Sequence, residues 1–219
     1  MQLFIDSANL EEIKTAVSWG IIDGCTTNPT LAAKNGVTDF LPLAKQILKI
    51  VPGPVSLEVV ATDVAGMMRE GEKLAKLAAN VVVKLPITIE GIQVCRALTK
   101  KKIKVNMTLC FSPNQALLAA KAGATYISPF VGRLDDIGDH GNEMVEEIIN
   151  IYLNYGFTTQ VLYASVRSAQ HVKQAALMGA DVTTCPFSVL DKLVTHPLTD
   201  KGLNTFLSDW KKSGLKPLV

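Results

Sequence analysis

A chain of 219 residues, 48% of them hydrophobic and 19% charged, is long enough for one large core and too apolar to be disordered. A net charge of +2, with no basic run longer than Lys100-Lys101-Lys102, leaves no footprint for nucleic acid or an anionic membrane, and no apolar stretch is long enough to span a bilayer. Cys25, Cys95, Cys110 and Cys185 lie far apart without a C-x-x-C pair, so they read as reduced core residues of a cytoplasmic protein.

The first element, Gln2-Leu3-Phe4-Ile5-Asp6, is strand-like and leaves no room for a secretory signal. Further β-like runs follow at 25–28, 55–60, 80–86, 104–110, 126–130, 159–165 and 181–186. Amphipathic stretches separate them at 9–19, 38–51, 63–78, 89–100, 112–122, 141–154 and 168–178. Strict alternation of this kind implies parallel strands joined by crossover helices. The joints are punctuated accordingly: Ser7 or Asn9 caps the first helix, Ser112-Pro113 opens the fifth, and Gly123 and Gly179 end two others. Eight such units predict an α/β fold, a single (β/α)8 TIM barrel spanning 1–219. An open doubly wound sheet fits less well, because no G-x-G-x-x-G follows any strand and no P-loop occurs. Beyond the eighth unit, Leu203, Phe206, Leu207 and Trp210 form an apolar stripe and predict an extra C-terminal helix over about 199–212. That helix either covers its own barrel or clasps a neighbouring subunit.

Lys84 stands inside Asn80-Val81-Val82-Val83-Lys84-Leu85-Pro86, which reads as a strand buried on both faces. Burial there disfavours the charged ammonium and leaves an amine able to attack a carbonyl as a Schiff-base nucleophile. The same pattern also admits an edge-strand lysine snorkelling to solvent.

The reactive face of a barrel lies at the C-terminal ends of its strands, and residues two apart share a face. Asp6, Asn28, Glu58, Lys84, Asn106, Thr108, Ser128 and Ser165 all fall late in predicted strands, with Arg167 two residues past Ser165 and Phe130 two past Ser128. Asp6 and Glu58 are the carboxylates available there. Either one pairs with Lys84 and holds it charged, or the two divide the handling of substrate protons and of water. Arg133 and Arg167 follow the sixth and seventh strands and suit a phosphate, with Ser165 as a further donor; Asp135 and Asp136 offer Arg133 a rival partner in its own loop. His140, His171 and His196 lack metal-ligand spacing, so a reaction without metal or other cofactor is expected.

Six blocks carry a resemblance: Ile5-Asp6-Ser7-Ala8-Asn9, Thr26-Thr27-Asn28-Pro29-Thr30, Val83-Lys84-Leu85-Pro86, Asn106-Met107-Thr108-Leu109, Ser128-Pro129-Phe130-Val131-Gly132-Arg133 and Ala164-Ser165-Val166-Arg167. In order and over essentially the whole chain, they resemble the small-subunit transaldolases, a group that includes the fructose-6-phosphate aldolases. The resemblance implies reversible transfer of a dihydroxyacetone unit between sugar phosphates, from sedoheptulose 7-phosphate to glyceraldehyde 3-phosphate, in the non-oxidative pentose phosphate pathway. It implies a Schiff base on Lys84, a proton acceptor in Asp6, and water held by Glu58 and Thr108. Asn28, Asn106 and Ser128 would hold the donor, and Arg133, Ser165 and Arg167 the phosphate. It further implies a homo-oligomer, a decamer or pentamer, with C-terminal helices crossing to neighbours. Glu58 and Phe130 resemble the transaldolase branch, whereas the aldolase branch usually carries Gln and Tyr at those positions. An aldolase of the same mechanism, or a barrel that isomerises or binds sugar phosphates without covalent chemistry, is the alternative.

Overall fold

The structure is a computed structural model and describes residues 1–216. Eight parallel strands close into a barrel in chain order: β1 Gln2–Asp6, β2 Gly24–Thr26, β3 Val55–Glu58, β4 Val81–Pro86, β5 Val105–Cys110, β6 Tyr126–Pro129, β7 Gln160–Tyr163 and β8 Val182–Cys185. The helices around it include α1 Leu10–Ser18, α3 Phe40–Ile50, α4 Val64–Ala75, α5 Ile89–Lys100, α6 Pro113–Ala122, α8 Gly141–Tyr155 and α9 Ala169–Met178. The predicted (β/α)8 barrel is therefore the observed fold.

Alternation along the strands divides the apolar residues into two cores. Phe4, Val82, Tyr126, Leu162, Ala164 and Val182 fill the barrel itself, with Phe130 against them. Their odd-numbered neighbours, among them Ile5, Leu57, Val83, Leu85, Met107 and Ile127, face the helices. Even-numbered strand positions thus point inward, except at the end of β5, where Leu109 has φ of +59° and Cys110 joins the outer core. Gly24 owes its identity to this packing: a Cβ there would lie 2.6 Å from the Phe4 ring. Where the apolar floor ends, the next even positions are polar, and they build the mouth.

The helix signals act largely as read. Asn9 Oδ1 accepts from the Glu11 and Glu12 amides at the start of α1, while Ser7 donates to Glu12 Oε2 at 2.6 Å. Ser112 caps α6 ahead of Pro113, and Gly123 and Gly179 end α6 and α9 in the left-handed conformation that an L side chain resists.

Three short helices depart from the expected plan: α2 Pro29–Lys34, α7 Val131–Asp135 and α10 Phe187–Val194. Because β2 stops at Thr26, Asn28 does not close a strand but caps α2, its Oδ1 accepting from the Leu31 amide at 2.9 Å. Similarly β7 stops at Tyr163, and Ser165 lies beyond it with φ of +62°. The last helix, α11 Pro197–Ser213, starts two residues before the predicted stretch, capped by His196 with Pro197 in its first turn. None of its residues is buried, and Phe206 stays 72% exposed. Its apolar stripe does not cover its own barrel.

Candidate active site

Lys84 is 5% exposed on β4, which is paired to β3 on one side and β5 on the other. A closed barrel has no edge strand, so the snorkelling alternative falls away. The amine is dry but not alone. Its Nζ lies 3.0 Å from Glu58 Oε2 and donates to the Thr27 carbonyl at 3.2 Å. Glu58 is the register partner of Lys84 across the β3–β4 ladder, so backbone pairing itself sets the two side chains side by side. The buried amine thus faces a carboxylate and a backbone carbonyl, not a wholly apolar pocket.

Asp6 closes β1 next to this pair. Its carboxyl is held above the usual carboxylate range by burial, against the pull of the Lys84 charge and of a hydrogen bond from Thr26, while Glu58 pushes the same way as burial. Thr26 Oγ1 donates to Asp6 Oδ1 at 2.7 Å and sits 2.7 Å from Thr184 Oγ1. With the Thr26 proton committed to Asp6, Thr184 is the donor in the second bond. Asn106, the register partner of Lys84 on β5, accepts from Ser128 Oγ at 2.7 Å and donates to Ser56 Oγ at 3.1 Å. Thr108, on the same inner parity, is fully buried, and its Oγ1 has no hydrogen-bond partner among the described residues. The buried thiols nearby are poor nucleophiles: burial and then the Asp6 charge push Cys185 up to about 12 and Cys25 higher still.

At the rim, Gly132 is the residue that lets α7 approach the turn after β7. A Cβ on it would lie 2.0 Å from the Ser165 carbonyl oxygen and 2.8 Å from Arg167 Cγ. This contact gathers Arg133, Ser165 and Arg167 on one side of the mouth. Arg133 does not pair with its own aspartates. Its guanidinium lies over the Phe130 ring, 5.0 Å from the centroid, while Asp136 pairs with Arg167 at 3.0 Å. Phe130 in turn meets Phe111 edge-on at 5.8 Å.

The profile of the transaldolase/fructose-6-phosphate aldolase family matches residues 3–216. The chain belongs to this family. Among its relatives, a probable transaldolase of Anaeromyxobacter dehalogenans is 58% identical over 212 residues, 97% of each chain. A probable transaldolase of Bartonella tribocorum is 56% identical over 214 residues, 98% of each chain. One of Brucella ovis is 56% identical over 216 residues, 99% of each chain. Family membership makes this an enzyme of transaldolase or aldolase type.

Every candidate from the sequence lies at the barrel mouth or its rim, but the supporting polar shell was missed. Thr26, Ser56 and Thr184 all occupy even strand positions: Thr26 bonds to Asp6, Ser56 to Asn106, and Thr184 to Thr26. The parity rule that singled out Asp6 and Lys84 contained them.

Proposed function

We propose that this enzyme is a transaldolase that moves a dihydroxyacetone unit between sugar phosphates through a Schiff base on Lys84. The observation that carries the reading is the buried Lys84 amine, 3.0 Å from Glu58 on the inner face of the barrel. Glu58 accepts a proton from the ammonium, and the amine that results adds to the C2 carbonyl of the ketose. The carbinolamine loses water, for which Glu58 supplies the proton and the Thr108 hydroxyl a hydrogen bond. Asp6 then takes the proton of the C4 hydroxyl as the C3–C4 bond breaks, its electrons flowing into the protonated imine to give an enamine. An aldose phosphate leaves as product, a second aldehyde phosphate adds, and the steps reverse.

A carboxyl raised by burial suits Asp6 to this exchange, since it holds a proton more readily than an exposed aspartate while Lys84 and Thr26 keep its anion accessible. Asn28 keeps its amide nitrogen for the substrate, because its Oδ1 is committed to the α2 cap. Asn106 is locked by Ser56 and Ser128 and donates to the donor hydroxyls; Ser128 helps hold the same sugar. Arg133, Ser165 and Arg167 take the phosphate, for which Arg167 exchanges Asp136. Glu58 and Phe130 support transfer over simple cleavage: a carboxylate exchanges protons with water where an amide cannot, and a phenylalanine supplies no phenol donor. The exposed stripe on α11 supports a homo-oligomer, a decamer or pentamer, with the chain acting as one domain in the cytoplasm and in the non-oxidative pentose phosphate pathway.

Borohydride reduction in the presence of fructose 6-phosphate tests the covalent step. A reduced three-carbon adduct is expected on Lys84 by mass spectrometry; turnover without any adduct would overturn the mechanism. Comparing free dihydroxyacetone release with transfer to erythrose 4-phosphate tests the branch, and predominant release would make the enzyme an aldolase.

A further inference from the structure

His171 lies in the first turn of α9 and takes no part in the chemistry above. Its side chain is 15% exposed and bridges two elements of the rim. Nδ1 accepts the Arg167 backbone N–H at 3.2 Å, and Nε2 lies 3.0 Å from Asp135 Oδ2 on α7. A ring nitrogen that accepts an N–H carries no proton, so the imidazole proton sits on Nε2 and is donated to Asp135. The ring edge meets Tyr163 on β7, with centroids 6.1 Å apart. Asp135 is the charged group that faces the ring; the Arg167 side chain turns from it to Asp136.

Two features show that this turn needs holding. Ser165 carries φ of +62°, a conformation that L residues adopt only when the surroundings impose it. The bare backbone of Gly132 also has to stay packed beneath the Ser165 carbonyl and the Arg167 side chain. The imidazole joins that assembly, tying the Arg167 amide to α7, the helix that carries Arg133.

We infer that His171 is a positioning residue for anion recognition: it fixes the Ser165–Arg167 turn against α7 so that both arginines meet one phosphate. This rests on the reading of that turn as the phosphate site. His171 contacts no reacting atom and acts only through Arg167 and Asp135.

The test compares His171→Phe, His171→Asn and His171→Gln in the full-length enzyme. Phenylalanine keeps the ring packing and loses both polar contacts; asparagine restores an acceptor at the Nδ1 position; glutamine restores a donor towards Asp135. Two quantities are read: competitive inhibition by inorganic phosphate, and the rate of borohydride trapping with unphosphorylated dihydroxyacetone. His171→Phe is expected to weaken phosphate inhibition about fivefold to tenfold, since only part of the two lost contacts is passed on to the phosphate, with trapping unchanged. His171→Asn should recover most of that loss, and His171→Gln less. If His171→Phe does not fold, the asparagine and glutamine variants still decide, since the inference requires them to differ in phosphate inhibition. Equal losses in both readouts, or phosphate inhibition unchanged in all the variants, would overturn the inference. Arg167→Ala separates the two levels. If it weakens phosphate inhibition while the histidine variants do not, the positioning role falls and the phosphate site stands. If Arg167→Ala changes nothing, both fall.

Discussion

Glu58 and Lys84 are register partners on adjacent parallel strands, and their charged atoms meet 3.0 Å apart on the inner face of the barrel. Both side chains are largely out of water, at 16% and 6% exposure. Breaking such a pair from one side leaves an uncompensated charge and typically costs about 3–5 kcal/mol, whereas removing both charges is far milder. Lys84→Met should therefore lower stability by about 3 kcal/mol, since Glu58 and Asp6 then face each other without a counter-ion. Adding Glu58→Gln should return most of the loss, although neither variant turns over. Urea denaturation at pH 7 checks this; equal stability of the single and double variants would mean that the pair is not coupled.

Asp6 supplies a pH signature. Burial holds its carboxyl above the ordinary 3.8, so the folded protein binds this proton more tightly than the unfolded chain does. Its favourable contribution is present below 3.8 and is lost as pH rises through the folded value, so at neutral pH the ionised group costs stability. Asp6→Asn, which still accepts from Thr26, should gain on the parent as pH is raised from about 4 to 7. Its turnover should fall by about 10²-fold or more for want of a proton acceptor. Denaturation midpoints of both proteins at several pH values decide it. A stability difference that does not grow with pH would refute the buried-carboxyl account.

What could be read from the sequence was whatever is local and periodic. β-Branched runs bounded by glycine and cap residues located the strands, and parity put Asp6, Glu58, Lys84, Asn106 and Ser128 on one inner face, where their contacts place them. The short helices escaped for physical reasons. α7 has only five residues, too few to show a period, and α2 begins at an Asn-Pro pair that reads equally well as the end of a strand. Parity also failed at Ser165, because its left-handed φ breaks the alternation on which parity depends. The bond between Thr26 and Thr184 joins residues 158 positions apart, and the exchange that gives Asp136 to Arg167 depends on two rim elements touching at Gly132. Neither can be seen without the closed barrel.

That contact at Gly132 gives a sharp test of the rim. The methyl of Gly132→Ala would arrive 2.0 Å from the Ser165 carbonyl oxygen, which is backbone and cannot swing aside. Either α7 or the turn after β7 must move. The substitution should cost about 1–3 kcal/mol, the usual range for forced overpacking. Because the displaced turn carries Arg167, KM for fructose 6-phosphate should rise several-fold, while trapping of unphosphorylated dihydroxyacetone on Lys84 changes little. Thermal unfolding together with the two assays checks this; an unperturbed KM would mean that the rim tolerates the shift.

Two buried threonines test the proposed role of one hydroxyl against the other. Thr108 and Thr183 are both fully buried, and the Oγ1 of each lacks a partner among the described residues. An unsatisfied buried hydroxyl costs about 1–3 kcal/mol, and valine replaces it at nearly the same shape. Either Thr→Val change should thus leave stability unchanged or raise it by about 1 kcal/mol. Function should part them. Thr183 sits between Val182, which fills the barrel, and Thr184, which bonds to Thr26 in the mouth, so its own side chain faces the helices. Thr108 shares the inner face with Asn106, and in the proposed mechanism its hydroxyl holds water at the carbinolamine stage. Thr108→Val should slow borohydride trapping by about 10²-fold, within the range for loss of acid–base assistance, and Thr183→Val should leave it at the parent rate. Equal trapping rates in the two variants would remove Thr108 from the chemistry.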